Sequence, residues 1–481
     1  MNSILFIITL KQKDGQYDQD SSYLQIHVAY YRYPRLKQDL KLTPVRPVVN
    51  PSASILDESR FINNPAYEQT TQDLYDPGWA GRLIENRIDG WVKKDKGMID
   101  ESKENGIECA MKILHTPVRL YATGGVESYV LNLTRSLADL GHEVKVICSE
   151  SDKDMGCDPR VSVETLRSWG RIANTNITPG LPLALLKENF DVMHTHLPTP
   201  WSADWSLLAC LAKKKPLILT YHNDIVGSGI DRYLASLYNA TALNLLLKRS
   251  ARILVARPRH VSFRLKPFMD KVEFVPVGVD VQLFHPRERK PEGDIFFLSV
   301  LDAFHSYKGL DVLLGALKAV KEQIPQVILV VGGGGELLEH YRQRARELGL
   351  EKNVRFEGRL SQQRLLEIYN GCKLFVLPSL SAEQEGFGIV PLEAMACGRP
   401  VVVTDIVGVA EDVGRTGAGI VVKPADENAL SRAIVSIIAD GKSAARMGDA
   451  GRRLVEEKYS WKTVALQVER IYREAAEDGQ N

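Results

Sequence analysis

The sequence predicts an α/β protein with two doubly wound domains, each a parallel sheet covered by helices. Three observations predict this fold class. The chain has 481 residues, more than one compact core usually holds. From Met111 onwards, short runs rich in Val, Ile and Leu alternate with amphipathic stretches. The alternation starts again near Asp294, after the proline- and charge-rich segment FHPRERKPEGD, which is typical of a linker.

The first 110 residues differ from the rest of the chain. They mix Tyr, Asn, Asp, Pro and Lys with little apolar periodicity, so they bury too little apolar surface to offset chain entropy. We expect residues 1–110 to be a poorly ordered N-terminal extension, either disordered or encoded upstream of the true start. The apolar run near Met1 lacks a preceding basic segment and a cleavage site, which favours a short strand or a disordered end over a signal peptide.

Composition excludes several classes of protein. Hydrophobic residues make up 44% and charged residues 25%, as in ordinary globular enzymes. The net charge of +1 gives no overall attraction for nucleic acid or for an anionic membrane. The six cysteines form no C-x-x-C pair, which favours free thiols in a reducing compartment. No apolar run is long enough for a membrane-spanning helix, so we expect a cytoplasmic protein.

The first domain is predicted at residues 111–286. It opens with a βαβ unit: strand MKILH, a glycine turn, an amphipathic helix and strand VKVICS. The segments that follow are strands DVMHTH and PLILTYH, one long apolar helical region DRYLASLYNATALNLLLKRSA, and strands RILVA and VEFVPVGV.

The second domain is predicted at residues 287–459, and an amphipathic helix follows at 460–478. The predicted elements are strand IFFLSVL, helix KGLDVLLGALKAVKEQ, strand QVILVVGGGG, helix ELLEHYRQRARELG, strand VRFEG, helix SQQRLLEIYNG, strand CKLFVLPS, helix IVPLEAMACG, strands PVVVTD and AGIVVKP, and helix ENALSRAIVSIIADG. The two domains should face each other across a cleft, where ligands bind beyond the carboxyl ends of the strands.

Two glycine-rich turns follow predicted strands. Gly124 and Gly125 precede the first helix, where backbone N–H groups can approach an anion, although a plain tight turn explains them equally well. The spacing is not G-x-G-x-x-G, so a nicotinamide or flavin site is not indicated. The run Gly332 to Gly335 also fails that pattern, because Leu337 stands where its last glycine would be. We interpret this run as a turn beside the cleft.

Three histidines follow neighbouring strands. His194 and His196 are two residues apart at the end of DVMHTH, so they share one face, and His222 follows the next strand. Two alternatives remain open: one of these histidines faces a substrate, or their role is purely structural. A zinc site built from all three lacks support, because no carboxylate or cysteine has suitable spacing.

Charged residues lie at two predicted helix starts. Lys308 precedes a helix whose positive end disfavours a cation, so a phosphate partner explains its position better than a solvated lysine does. Glu385 lies just before the Gly-Phe-Gly turn, and Glu393 lies inside the helix that follows this turn. A glutamate inside an apolar helix needs hydrogen-bond donors, and the vicinal hydroxyls of a ribose would supply them. The amides of Phe387 and Gly388 would then face a diphosphate.

From Met111 to the C-terminus, about three quarters of the chain resembles the family 4 retaining glycosyltransferases, which have the GT-B fold. The segments that carry the resemblance are GGVE, HTH after DVM, VPVGVD, KGLDVLLGAL, VVGGGGE, VRFEGRL, LPS and EGFGIVPLEAMACGRPVVVTD, with its E-x7-E motif. The resemblance implies two Rossmann-like domains, with the terminal helix crossing back to the N-terminal, acceptor-side domain. It also implies transfer of a hexosyl group from a UDP- or GDP-sugar with retention, by a front-face mechanism without metal or cofactor.

The resemblance also implies roles for residues of the C-terminal domain. Glu393 would hold the donor ribose and Glu385 the transferred sugar. Lys308, with the amides of the turn Gly386 to Gly388, would neutralise the leaving diphosphate. The backbone near Arg359 and Leu360 would border the base.

In the N-terminal domain, the resemblance implies that Gly124 and Gly125 close over the donor. His196, more than His194, would face the reacting sugar. The acceptor would be a glycan or a lipid-linked sugar.

The sequence departs from the family pattern on the cationic side. Val300 stands where members often carry an Arg that touches the diphosphate, and the Asn of P-N-G-V-D is Val277. Either His305 or another cation compensates, or diphosphate binding depends more on Lys308. A catalytically idle nucleotide-sugar-binding or scaffold protein is therefore the alternative, and a phosphorylase or epimerase on the same fold is a weaker one.

The segment WSADWSLLACLAKKKP joins an apolar helix to three lysines. It has two interpretations. The segment makes peripheral contact with the inner face of a membrane, or the lysines are there because cations are favourable at the C-terminus of a helix.

Overall fold

A computed structural model describes most of the chain after residue 109. The described residues are 110–121, 124–151, 157–172, 175–225, 231–256, 263–382, 384–385 and 387–478, and the backbone of strands Ser3–Thr9 (β1) and Gln25–Tyr31 (β2). These two strands pair antiparallel with each other. The expectation of a poorly ordered extension otherwise concerns residues outside the described ranges.

The N-terminal domain is built on a parallel sheet of seven strands. Its strands are Lys112–Thr116 (β3), Glu143–Cys148 (β5), Ser162–Thr165 (β7), Val192–Leu197 (β10), Leu217–Tyr221 (β11), Arg252–Val255 (β12) and Val272–Phe274 (β13). The spatial order is β13-β12-β11-β10-β3-β5-β7. Two small additional sheets consist of Arg119–Leu120 (β4) with Glu150–Ser151 (β6), and Gly170–Ile172 (β8) with Thr175–Ile177 (β9).

Helices cover both faces of this sheet. The domain contains Gly125–Asp139 (α1), Leu181–Lys187 (α2), Pro200–Lys213 (α3), Asp231–Ala240 (α4) and Ala242–Arg249 (α5). One face packs on α1, through Val130, Leu133 and Leu137, and the other on α2, α3 and α5. Each face buries its own apolar cluster, as a doubly wound sheet requires.

The C-terminal domain repeats the architecture with six parallel strands. They are Ile295–Leu298 (β14), Leu329–Gly332 (β15), Val354–Gly358 (β16), Leu374–Leu377 (β17), Val401–Thr404 (β18) and Gly419–Val422 (β19), in the order β16-β15-β14-β17-β18-β19. Its helices are Leu310–Gln323 (α6), Leu338–Glu347 (α7), Gln362–Gly371 (α8), Ile389–Ala396 (α9), Ala410–Thr416 (α10), Glu427–Ala439 (α11) and Gly441–Leu454 (α12).

The terminal helix Trp461–Asp478 (α13) returns to the N-terminal domain, as the resemblance implies. It packs on α1 and contributes Val464, Val468 and Tyr472 to the apolar cluster on that face. A π-helical turn, Val455–Tyr459, precedes it. The crossover is fixed to the segment just before the linker, because Val279 N–H donates to the Tyr459 carbonyl over 2.8 Å.

One helix predicted from the sequence is divided in the structure. The long apolar region after residue 230 forms two helices, α4 and α5, rather than one. The backbone of Thr241 has φ −119° and ψ −84°, outside the helical range, and its hydroxyl donates to the Leu237 carbonyl over 2.7 Å. Hydroxyl side chains compete with the backbone in this way and interrupt helices. No helix within the described residues is long and apolar enough to span a membrane.

Candidate active site

Both sheets reverse their strand order at one point, and the predicted site residues lie near these points. β3 and β10 are the neighbours at the reversal in the first sheet, and β14 and β17 are those in the second. His115 and His196 lie at the carboxyl ends of β3 and β10, while Lys308 and Glu385 follow β14 and β17. Ligands of doubly wound sheets bind at such reversal points.

A close backbone approach brings Lys308 to the end of β17. Lys308 ends the 3₁₀ turn Ser306–Lys308, and Gly309 follows with φ +81°. A Cβ at this position would clash with the carbonyl oxygen of Pro378, so only glycine allows the contact. The N–H of Leu380 donates to the Tyr307 carbonyl over 2.7 Å. The start of α6 is therefore held against the segment that carries Glu385.

Lys308 and Glu385 form an ion pair with little exposure. Lys308 Nζ lies 2.8 Å from Glu385 Oε1 and 3.0 Å from Oε2. The Glu385 side chain is 1% exposed and the Lys308 side chain 17%. Ser379 Oγ also donates to Glu385 Oε2. The sequence assigned both residues to one ligand, but it did not predict that they bond to each other.

The N-terminus of α9 lies beside this pair. Gly388 is its N-cap, with φ +88°, and a Cβ there would lie 2.7 Å from the Val407 side chain. Phe387 is 9% exposed, and its ring meets Tyr459 edge-on at 5.7 Å. Gly386 lies outside the described residues. The first amides of a helix lack intrahelical partners and carry partial positive charge, which suits an anion.

Glu393 lies one turn into α9 and accepts a hydrogen bond from Tyr369. The Tyr369 hydroxyl lies 2.7 Å from Glu393 Oε2. Burial raises the pKa of Glu393 to about 7, although the bond from Tyr369 lowers it. The carboxyl is therefore close to its midpoint at neutral pH, and groups that donate hydrogen bonds to it would favour its ionised form.

The glycine run after β15 is required by packing. Gly333 has φ +114°, and a Cβ there would clash with the Ser299 carbonyl at the end of β14. A Cβ on Gly332 would lie 2.6 Å from the side chain of Leu360. These contacts place the loop and Leu360 beside the carboxyl end of β14.

The loop after β14 contains Val300, one of the two departures from the family pattern, and also His305. Val300 is 49% exposed. His305 is paired with Asp302, whose Oδ1 lies 2.7 Å from His305 Nδ1. The backbone N–H and the ring of His305 hold the pKa of Asp302 below its usual range. A cation at His305 would thus be partly neutralised by its own neighbour.

The first glycine turn is only partly described, because residues 122–123 lie outside the described ranges. Gly124 is the N-cap of α1 with φ +133°. A Cβ on Gly124 would clash with the carboxylate of Glu127, in the first turn of α1. A Cβ on Gly125 would meet open space. The helix start therefore already has an internal anion beside it.

The predicted histidines of the N-terminal domain lie together in a buried cluster. His194 and His196 stack with ring centroids 4.4 Å apart. His196 Nδ1 lies 3.4 Å from Nε2 of His222. Both residues of β10 are fully buried, and His222 is partly buried.

Two members of this cluster, His115 and Tyr472, were not predicted from the sequence. His115 Nδ1 lies 3.3 Å from His196 Nε2, and the Tyr472 hydroxyl lies 2.6 Å from His194 Nδ1. His115 lies next to the end of β3, the first strand of the domain. Its position at the carboxyl end of that strand could have identified it as a candidate from the sequence. Tyr472 comes from the terminal helix, 278 residues from His194, and had no local signal.

Three of these imidazoles are close enough to be considered as metal ligands. One nitrogen from each of His115, His194 and His196 lies within 4.8 Å of the others. Both nitrogens of His194 already have partners at 2.6 Å, Tyr472 and Thr220. A metal ion bound to His194 would have to break one of these hydrogen bonds. The cluster is therefore better described as a hydrogen-bonded group than as a metal site.

Two family models together match most of the chain beyond the extension. Glycosyltransferase Family 4 matches residues 123–283, and Glycosyl transferases group 1 matches residues 280–454. The O-antigen chain mannosyltransferase C of Escherichia coli is 30% identical over 367 residues, covering 73% of this chain and 95% of that protein. The chain belongs to the family 4, group 1 glycosyltransferases. A phosphatidyl-myo-inositol mannosyltransferase of Mycolicibacterium smegmatis is 29% identical, covering 74% of this chain and 92% of that protein.

Solved structures agree with the GT-B fold of this glycosyltransferase. HepE of Anabaena, crystallised with UDP, aligns with a TM-score of 0.61 at 18% identity and covers 76% of this chain and 100% of that one. Sucrose-phosphate synthase of Thermosynechococcus elongatus aligns with a TM-score of 0.57 at 23% identity, covering 76% of this chain and 98% of that one. Both comparisons concern the fold alone.

Proposed function

We propose that this glycosyltransferase moves a hexosyl group, with retention and without a metal ion, from a UDP- or GDP-sugar to a glycan or lipid-linked acceptor. The observation that carries the proposal is the buried Lys308–Glu385 pair beside the N-terminus of α9. Together, the pair and the N-terminus of α9 bring a cation, a carboxylate that can accept hydrogen bonds from hydroxyls, and helix amides to the switch point of the C-terminal domain.

In the proposed mechanism the C-terminal domain binds the donor. Lys308 and the amides of Phe387 and Gly388 stabilise the charge that develops on the leaving diphosphate, which is where a transferase gains most from electrostatics. Glu385 accepts hydrogen bonds from hydroxyls of the transferred sugar, and Glu393 accepts them from the ribose. The backbone near Leu360 borders the base.

The N-terminal domain closes the other side of the cleft in this mechanism. His196 is fully buried, and its two ring nitrogens contact His115 and His222, so it acts on the reacting sugar through the hydrogen-bonded cluster and not by direct contact. Gly124 and Gly125 approach the donor. Attack by the acceptor on the face that the diphosphate leaves gives retention without a covalent enzyme intermediate.

GDP-mannose is the first donor to test. The relatives from Escherichia coli and Mycolicibacterium smegmatis are mannosyltransferases, and a further relative from the latter organism is named as GDP-mannose-dependent. Thermal shift against a panel of UDP- and GDP-sugars, followed by transfer assays with the stabilising donor, tests the proposal, because a ligand of the folded state raises Tm. Absence of stabilisation by every nucleotide-sugar in the panel would contradict it.

The alternative is an idle nucleotide-sugar-binding protein, favoured by Val300 in place of an arginine and by the pairing of His305 with Asp302. Donor hydrolysis separates the two functions. An idle protein binds the nucleotide and releases no free sugar, whereas the transferase hydrolyses its donor slowly without an acceptor.

Donor binding should become tighter as pH rises. The ribose hydroxyls donate to ionised Glu393, whose pKa is raised to about 7, so binding below that pH must first remove a proton. The Kd of the nucleotide-sugar should fall by roughly tenfold from pH 6 to pH 8. Calorimetry measures this best with the intact nucleotide-sugar, whose diphosphate keeps a constant charge. Glu393→Gln should bind weakly with a flat profile, and an unchanged slope in that variant would refute the assignment.

Peripheral membrane contact of the N-terminal domain is part of the proposal. Leu208 and Leu211 of α3 are 50% and 45% exposed. The neighbouring helix α2 exposes Leu183 and Leu186 in the same way. The lysines 213–215 end α3, so apolar and basic groups adjoin, as at a membrane surface with anionic lipids. We place this contact at the cytoplasmic face.

Replacing the three lysines 213–215 with glutamate should weaken binding to anionic liposomes in a co-sedimentation assay by about 30- to 100-fold, because each lysine near an anionic surface contributes about 1 kcal/mol. Lys215 is partly paired with Asp191, 3.5 Å away, so it should contribute least. The matched control changes three exposed lysines of the C-terminal domain, Lys318, Lys352 and Lys442, to glutamate. An equal loss of liposome binding in both variants would mean that the net charge of the protein, and not this surface, determines the binding.

A further inference from the structure

Arg359 is a cation without an acidic partner at the carboxyl edge of the C-terminal sheet. Within the described residues, the other cationic side chains in the loops at this edge each contact a carboxylate: Lys308 contacts Glu385, His305 contacts Asp302, and Lys423 contacts Asp405. Arg359 follows β16 and is exposed, and its side chain forms no ion pair or hydrogen bond in the part of the chain that the structure describes. The protein therefore leaves the charge of Arg359 uncompensated.

The side chain of Arg359 lies across the glycine run that follows β15. A Cβ on Gly334 would be 3.2 Å from Arg359 Cγ and 4.0 Å from its Nε, so the arginine occupies space that a larger residue at position 334 would need. β15 lies between β16 and β14 in the sheet. The contact with Gly334 therefore leans the guanidinium group away from its own strand and towards the end of β14.

The same glycine run is held against the loop after β14. The N–H of Leu301 donates to the Gly334 carbonyl over 3.1 Å. A Cβ on Gly335 would clash with the Leu301 carbonyl oxygen. Gly334 thus lies between Arg359 and the loop after β14, and no side chain of the glycine run separates them.

A diphosphate at the proposed donor site needs more positive charge than Lys308 supplies. The charge of Lys308 is already balanced by Glu385 in the ion pair. The N-terminus of α9 adds only about half an elementary charge. Both phosphates of a nucleotide-sugar are negative, and more charge develops on the diphosphate as the sugar leaves. A guanidinium group suits this task, because it donates two parallel hydrogen bonds to phosphate oxygens.

We propose that Arg359 binds the diphosphate of the donor and supplies the positive charge that the Lys308–Glu385 pair does not. Its guanidinium group reaches over Gly334 and donates hydrogen bonds to phosphate oxygens from the β15 side, while the helix amides of α9 approach them from the β17 side. This assignment rests on the proposed function, because it concerns the same donor. It accounts for diphosphate binding in a chain that has valine at position 300.

Arg359→Ala should weaken the binding of UDP or GDP by about 10- to 100-fold, the effect of losing hydrogen bonds to a charged group. Inorganic pyrophosphate carries no base, and its affinity, measured by calorimetry, should fall by a similar factor. The matched control is Arg432→Ala, which removes an exposed arginine from α11 and should change neither affinity. A loss of nucleotide affinity with unchanged pyrophosphate affinity would overturn the proposal, since Arg359 would then contact the base.

An arginine placed on the other side of the glycine run should replace Arg359. Val300 is 49% exposed and adjoins Leu301, so Val300→Arg has room to approach the same phosphates. In the Arg359→Ala background, Val300→Arg should bring the nucleotide affinity back to within about threefold of the wild type, because the two positions then serve one ligand. A folded double variant that binds no better than Arg359→Ala would contradict the placement of the guanidinium group at the phosphates.

This inference and the proposed function fail in different ways. A wild type that binds UDP or GDP with an affinity independent of Arg359 would overturn only the inference. A wild type that binds neither nucleotide, but binds pyrophosphate in a way that depends on Arg359, would overturn only the proposed function. The Tm of Arg359→Ala should equal that of the wild type, because the side chain is exposed, and this measurement separates lost binding from lost folding.

Discussion

Lys308→Ala is expected to lower the rate of sugar transfer by about 100- to 1,000-fold, as removal of one preorganised charge at a developing anion does in other enzymes. Lys308 is the cation that we assign to the diphosphate, and the usual arginine position is occupied by Val300. The rate constant for transfer at saturating donor measures the effect. A variant that keeps full activity would reject the assignment of the diphosphate site.

This substitution also affects stability, so it needs a control. The Glu385 side chain is 1% exposed in the structure, and Lys308→Ala removes the cation that pairs with it. Breaking a buried pair on one side costs about 3–5 kcal/mol. The double variant Lys308→Ala, Glu385→Gln also removes the buried negative charge and should recover most of the free energy of unfolding, but not the activity. Recovery of both together would mean that the single variant was merely unfolded.

Glu385→Gln is expected to reduce transfer by about 100-fold while leaving the Kd for the nucleoside diphosphate within a factor of about two. The amide keeps the shape of the side chain and its bond with Ser379, but it replaces an acceptor oxygen for the sugar hydroxyls by a donor. Calorimetry with UDP or GDP and steady-state kinetics provide the two measurements. A large loss of nucleotide affinity would mean that Glu385 binds the nucleotide and not the transferred sugar.

The two variants differ in what they should do to stability. Lys308 is 17% exposed and can reach water after Glu385 is neutralised, so Glu385→Gln should lower the free energy of unfolding by only about 1–2 kcal/mol. Chemical denaturation of both single variants and the double variant gives the coupling energy of the pair.

Much of the fold followed from local sequence. Strands β14, β15, β17 and β18 are short apolar runs buried on both faces, and helix α6 has the apolar period of a helix packed on a sheet. The terminal amphipathic helix was predicted at 460–478 and lies at Trp461–Asp478. The break between α4 and α5 was not predicted, because apolar periodicity continues across Thr241 while a local hydroxyl bond interrupts the backbone.

Sequence patterns alone were enough to predict the alternating fold, the two domains, the resemblance to the family, and Lys308, Glu385 and Glu393 as one candidate site. These follow from periodicity and from side-chain types at the ends of single elements. Three contacts became apparent only in the folded protein: Lys308 pairs with Glu385, Tyr369 donates a hydrogen bond to Glu393, and Tyr472 contacts His194 in the histidine cluster. The physical reason is that each of these contacts joins residues 24 to 278 positions apart, and their geometry is set by strand order, by the close approach at Gly309 and by the return of α13.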